Sequence, residues 1–186
     1  NKIGRRMSLK EITADLHDMA ERTPFMKAVF DGNLPIKVWE EWTYWRAMFY
    51  GAIEDKCEQG NLLDDLQGIK RTKALFQDYI GMRNGNWLPS DKCTNPVLLE
   101  YENYVKGLTP TQALAHLYVW HMGDLYGGQM IKKIIPAPTH YALEFEDATT
   151  LKNNLRAKLT DDLGTEARTA FEFAIKMLNE VYKTDN

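Results

Sequence analysis

The sequence predicts an all-α fold, and three observations predict it. Apolar residues recur at three- and four-residue spacing in one segment after another. Helix start signals, Ser-x-x-Glu once and Thr-Pro twice, stand just ahead of those segments. The two-residue alternation of a half-buried strand is nearly absent.

Taken in order, Ser8 and Glu11 form a capping-box pattern that opens the first helix. Leu9, Ile12, Leu16, Met19 and Ala20 give it one apolar stripe, with His17 at the edge. Thr23-Pro24 starts a second, short helix that stops near Asp31-Gly32. A longer helix is expected from about Pro35 to Glu58, dense in Trp39, Trp42, Trp45, Phe49 and Tyr50. Such density suits a core or the wall of a planar ligand. A connector follows from Gly60, then helices over Ile69 to Ile80 and Pro96 to Lys106, separated by a stop at Gly81–Asn86 and a turn-like run to Asn95. Thr109-Pro110 opens the central segment, which Pro136 and Pro138 close. Leu143 to Leu159 and Glu166 to Tyr182 read as the last two helices, divided at Gly164-Thr165.

The totals bound the function. The chain of 186 residues suits one domain spanning 1–186, and its hydrophobic (44%) and charged (26%) fractions are those of a soluble globular protein. A net charge of −3 without a dense basic run argues against a general nucleic-acid binder. Cys57 and Cys93 have neither zinc spacing nor the number for a disulfide framework. No stretch is long and apolar enough to span a membrane, and Asn1 to Met7 leads into no apolar run, so the expectation is a soluble cytoplasmic protein without a membrane anchor.

The central segment carries the chemistry. Within His121-Met122-Gly123-Asp124-Leu125-Tyr126-Gly127-Gly128-Gln129-Met130, three glycines fall inside six residues. Each costs a helix interior about 0.5–1 kcal/mol relative to alanine. Such a concentration marks a backbone that bends or touches something flat, or else a loop between two shorter helices. Asp124 is an acid on a segment otherwise suited to burial. Lys10 precedes His17 by two helical turns, about 10 Å along one face. An imidazole with a cation that far away suits a metal macrocycle with acidic groups at its rim, and neutral imidazole is an axial ligand of haem iron. His140, in a turn, is expected to be exposed.

Gly123-Asp124-Leu125-Tyr126-Gly127-Gly128-Gln129 with Lys132-Lys133 resembles the haem oxygenase signature GDLSGGQ and its trailing lysines. The likeness continues in Leu9-Lys10-Glu11 through His17 to Glu21, in the spacing from His17 to Tyr50, in His116-Leu117-Tyr118, and in Lys152, Arg156 and Ala170-Phe171. It implies haem held between a proximal helix and a kinked distal helix. His17 would ligate iron through Nε2, and Glu21 would orient the other ring nitrogen. Gly123 and Gly127 would lie against the porphyrin face, and Gly128 would permit the kink. Lys10, Lys152 and Arg156 would pair with the propionates, with Phe171 beside the pocket. Asp124 would hold a water that delivers a proton to iron-bound dioxygen, with Tyr50 in the same network.

Four residues depart from the family's pattern. Tyr126 replaces its serine, Ala174 stands where asparagine is common, and Trp120-His121 stands where Arg-Tyr is usual, so the arginine that supports the water network is missing from that place.

The resemblance implies oxidative opening of haem b, as substrate and cofactor, at a meso carbon (the α carbon by default) to biliverdin, CO and iron. O2 is consumed, and electrons come from outside, because the chain has no GxGxxG. The implied donor is ferredoxin, as in soluble forms from bilin-making photosynthetic organisms, with a bilin reductase downstream. Arg5, Arg6, Lys10, Lys132 and Lys133 are candidates for docking the donor. A second reading is a haem carrier or sensor that keeps His17 without turnover. A di-iron carboxylate site ranks below both, since no Glu-x-x-His pair is present.

Overall fold

The computed structural model describes residues 7–85 and 95–185, apart from the side chains of Tyr126, Thr184 and Asp185. The expectations for Arg5, Arg6, Cys93 and the turn-like run before Asn95 lie outside the described residues, as does the side chain of Tyr126. The described residues form eight α-helices and no strand. The helices are α1 (Leu9–Glu21), α2 (Pro24–Phe30), α3 (Ile36–Gln59), α4 (Thr72–Met82), α5 (Pro96–Lys106), α6 (Pro110–Ile134), α7 (Ala148–Ala157) and α8 (Gly164–Asp185).

Local capping chemistry sets most of the starts. Ser8 Oγ accepts from the Glu11 N–H at 3.2 Å, and Thr23 Oγ1 from the Met26 N–H at 3.3 Å. Thr109 and Gln112 complete a reciprocal capping box at α6. Two starts differ from the sequence expectation. Helix α4 begins at Thr72 rather than near Ile69, because the Glu54 carboxylate takes the Arg71 N–H and the Thr72 hydroxyl, each at 2.7 Å. Helix α7 begins at Ala148 rather than Leu143. Asp147 caps it, and Tyr141–Leu143 is a 3₁₀ turn whose Tyr141 and Ala142 N–H groups donate to Asp78. His140 is half-buried, not exposed: its Nε2 lies 2.9 Å from the Ile135 carbonyl, and its ring meets Trp39.

Helix α3 is the pillar of the molecule. It packs against α4, α5, α6 and α8, and residues on all its sides are buried, Glu41, Arg46 and Glu54 among them. Helix α8 pairs along α1. At their crossing, Gly164 lets the start of α8 approach Ile12, whose Cδ1 would lie 2.9 Å from a Cβ placed there. Arg168 then ties the two helices, donating to the Ile12 carbonyl at 2.7 Å and to both oxygens of Asp15. Helices α1 and α6 each pack on α8 and scarcely touch one another.

Candidate functional site

The central segment is one unbroken helix from Pro110 to Ile134, which removes the alternative of two helices and a loop. Its glycines face two environments. A Cβ built on Gly123 or on Gly127 meets nothing within 4 Å, so one turn of α6 presents bare backbone to open space. Gly128 is placed differently. A Cβ there comes to 3.3 Å from Leu143 Cδ2, so the close approach at Gly128 is between α6 and the 3₁₀ turn.

Asp124, between those glycines, is held by two groups from α3. Arg46 Nη2 and the Tyr50 hydroxyl both donate to its Oδ2, at 2.8 and 2.7 Å. Asp124 Oδ1 has no protein partner among the described residues. Burial works against the Arg46 charge, but the Asp124 carboxylate outweighs it and raises the guanidinium further above its ordinary value. Burial, reinforced by the same carboxylate, drives the Tyr50 phenol well above its usual range. The cluster is therefore one acid clamped by a permanent cation and a neutral phenol. An arginine does reach Asp124, and it comes from α3 rather than α6. The sequence held one signal for this: a lone arginine inside the run Trp42-Thr43-Tyr44-Trp45-Arg46-Ala47-Met48-Phe49-Tyr50, where a buried cation requires a carboxylate.

Trp120 and His121 occupy the departure from the signature. The Trp120 indole N–H donates to the Tyr101 hydroxyl at 3.0 Å, so it serves a network on the α5 side. His121 is fully buried, its ring edge-on to Tyr50 and Phe145. Neither ring nitrogen makes a well-formed hydrogen bond. Burial, and then the charges of Arg71 and Arg46, depress its pKa to about 3, with a weak contact to the Ile69 backbone acting the other way. His121 is thus a neutral imidazole behind the acid. Arg71 lies nearby with its guanidinium 4.2 Å from the Phe145 ring centre and donates to the Glu144 carbonyl at 2.9 Å.

On α1, His17 is half-exposed and its Nε2 stands 3.6 Å from Glu21 Oε1, beyond hydrogen-bond length. The ring nitrogen turned to Glu21 is therefore Nε2, not Nδ1. Ligation through Nε2 with Glu21 on the other nitrogen requires the ring to turn over, which a half-exposed side chain has room to do. Phe171 of α8 meets the His17 ring edge-on at 6.0 Å. Lys10 is exposed on the same helix. Lys152, half-buried on α7, lines a small open pocket with Leu125, Ala148 and Thr149, so it stands beside the Asp124 turn of α6; Arg156, one turn further, is exposed. The structure thus brings Tyr50, Asp124 and Arg46 into one cluster, and His17, Glu21 and Phe171 into another.

The family model described as Heme oxygenase matches residues 6–180 of the chain. The chain belongs to the haem oxygenase family. It is 27% identical to Heme oxygenase 2 of Macaca fascicularis over 93% of its own length, and spans 64% of that relative. Among solved structures it resembles heme oxygenase of Leptospira interrogans (TM-score 0.81, 24% identity, 94% of this chain and all of that one). It also resembles heme oxygenase-1 of the cyanobacterium Synechocystis in complex with heme (TM-score 0.77, 24% identity, 95% and 91%). These likenesses place the eight helices in the haem oxygenase fold. No described helix is long and apolar enough to cross a membrane.

The donor sets fit a haem. An imidazole with an adjacent carboxylate suits an iron ligand, and the bare backbone at Gly123 and Gly127 suits a flat macrocycle face.

Proposed function

We propose that this protein opens haem oxidatively to biliverdin, CO and iron, and that haem lies in the space between α1 and α6. The observation that carries this reading is the clamped Asp124 beside the bare backbone of Gly123 and Gly127. Bound haem supplies the ring that is opened and the iron at which O2 is reduced. The chain supplies the rest. His17 would hold the haem iron, and Glu21 would polarise its ring. Gly123 and Gly127 admit the macrocycle where any Cβ would intrude. Lys10, Lys152 and Arg156 meet its carboxylates, and Phe171 walls the His17 side.

Asp124 is the proton-managing group. Its Oδ2 is committed to Arg46 and Tyr50, so Oδ1 is left to hold a water. The clamp fixes where that water sits, so the acid held by Arg46 and Tyr50 orients the water as the proton donor. This arrangement supports turnover over a carrier role, because a carrier has no use for an oriented proton donor.

The α carbon as point of attack, ferredoxin as electron donor, a bilin reductase as consumer of the product and a cytoplasmic setting belong to the same proposal. Lys133 and Lys10 are exposed and offer positive charge to an acidic donor; Lys132 is half-buried, 3.9 Å from Glu144.

The test is aerobic reduction of the haem-loaded protein by ascorbate or reduced ferredoxin. The expected outcome is decay of the Soret band with growth of a biliverdin spectrum. A Soret band that persists while reductant is consumed would leave a haem carrier and remove the enzyme.

A further inference from the structure

We propose that Tyr101 is a redox-active tyrosine, with His116 as its proton acceptor and Glu166 as the countercharge, at the far end of an aromatic path that starts at Tyr50. The Trp120 indole N–H can only donate, and it donates to the Tyr101 oxygen at 3.0 Å. His116 Nδ1 lies 2.7 Å from that oxygen, and His116 Nε2 lies 2.9 Å from Glu166 Oε2. A carboxylate only accepts, so in the neutral imidazole the proton sits on Nε2 facing Glu166, and Nδ1 is left to accept from the Tyr101 hydroxyl. Glu166 is also the acceptor for the Tyr104 hydroxyl. The bond from His116 holds its carboxyl below the ordinary value, so it is ionised.

Tyr101 and His116 are both fully buried, while Glu166 reaches the edge of the protein. Burial holds the Tyr101 phenol far above its usual range, so the proton does not leave by itself. It leaves with an electron. In the step, Tyr101 gives one electron to a strong one-electron oxidant, and its proton moves along the existing hydrogen bond to His116 Nδ1. The products are a neutral phenoxyl radical, an imidazolium facing the Glu166 carboxylate, and the oxidant reduced by one electron. Return of one electron to Tyr101 and of the proton from His116 restores the start.

The electron has a route. The Tyr50 ring stacks on Phe49 at 5.6 Å, and Phe49 meets Tyr101 at 5.5 Å and Trp120 at 4.3 Å. Tyr50 is the residue whose hydroxyl lies on Asp124. An oxidising equivalent that arises at the Asp124 end, as when a peroxide meets a haem protein, is thus drawn across the core to Tyr101 and away from the site. Only this source of oxidant rests on the function proposed above.

The test uses the haem-free protein, so the two proposals fail separately. Flash-generated ruthenium(III) tris(bipyridine), with persulfate as terminal acceptor, is the oxidant. Transient absorption and freeze-trapped electron paramagnetic resonance report the radical. The expected result is a long-lived tyrosyl signal that Tyr101→Phe removes. Glu166→Gln is expected to slow its formation about tenfold, equivalent to about 1.4 kcal/mol of activation free energy. A wild-type signal surviving in Tyr101→Phe overturns the proposal. Should that variant not fold, a formation rate unchanged both in Glu166→Gln and in D2O overturns it instead.

Discussion

Arg46 Nη2 lies 2.8 Å from Asp124 Oδ2, joining α3 to α6 across 78 residues of sequence, with both side chains largely out of water. The pair does two jobs. It satisfies a buried cation, and it fixes the one acid on the glycine-bearing turn of α6.

Removing one partner strands the other. Arg46→Met is expected to cost up to about 3 kcal/mol, because a largely buried carboxylate keeps only the Tyr50 hydroxyl as donor among the described residues. Asp124→Asn, which strands Arg46, is expected to cost a similar amount. The double variant is expected to recover about 2 kcal/mol relative to the sum of the two losses. Urea denaturation of the four proteins measures this. Additive losses would show that the two groups do not sense each other.

Gly123 and Gly127 are expected to trade stability against haem. A methyl group at either meets nothing in the haem-free protein, and alanine is the better helix former by about 0.5–1 kcal/mol. Gly123→Ala and Gly127→Ala are thus expected to raise the melting temperature of the haem-free chain. The larger Gly127→Leu is expected to weaken haem binding about tenfold or more, equivalent to about 1.4 kcal/mol. Undiminished haem affinity in Gly127→Leu would place the macrocycle elsewhere.

What the sequence disclosed and what it withheld divide along contact range. Helix order and most boundaries were legible, since Ser8, Thr23, Asn95 and Thr109 cap with their own near neighbours. The misplaced starts of α4 and α7 depend on Glu54 and Asp78, acids that reach across many residues to claim backbone N–H groups. The same holds for the site. Asp124, Tyr50 and His17 could be named as candidates because a short motif and its spacing resemble a family. Arg46 could not, because its partner is 78 residues away and the family resemblance directs attention to α6. Gly128, expected to permit the kink, also lies against Leu143, on a turn that sequence periodicity had assigned to a helix.

His121 gives a pH dependence with a definite sign. Its folded pKa of about 3 lies below its ordinary 6.5, so between these values the unfolded chain holds one more proton than the folded one. Stability attributable to His121 is fully present above 6.5 and falls with pH through that window, by up to about 1.4 kcal/mol per pH unit. His121→Leu removes this term. The stability of the variant relative to the native chain is expected to grow as pH falls from 6.5, and to be flat above it. A difference that stays constant across the window would mean that His121 is protonated in the folded protein.

His17 is expected to separate ligation from folding. Its side chain is half-exposed, it makes no hydrogen bond of normal length to Glu21, and among the described residues its ring contact is with Phe171. His17→Ala is therefore expected to change folding stability by less than about 0.5 kcal/mol, as for surface positions without special contacts. The haem complex, in contrast, is expected to lose its axial imidazole, seen as a shifted Soret band, and to lose turnover. Imidazole added to the medium can enter the vacated space beside Phe171, and is expected to restore the native spectrum and part of the activity. Glu21→Gln, which keeps the ligand but removes the charge that polarises it, is expected to shift the Fe–imidazole stretching frequency downward while haem stays bound. A His17→Ala complex with the native Soret band would assign the iron to another ligand and unseat His17 from the site.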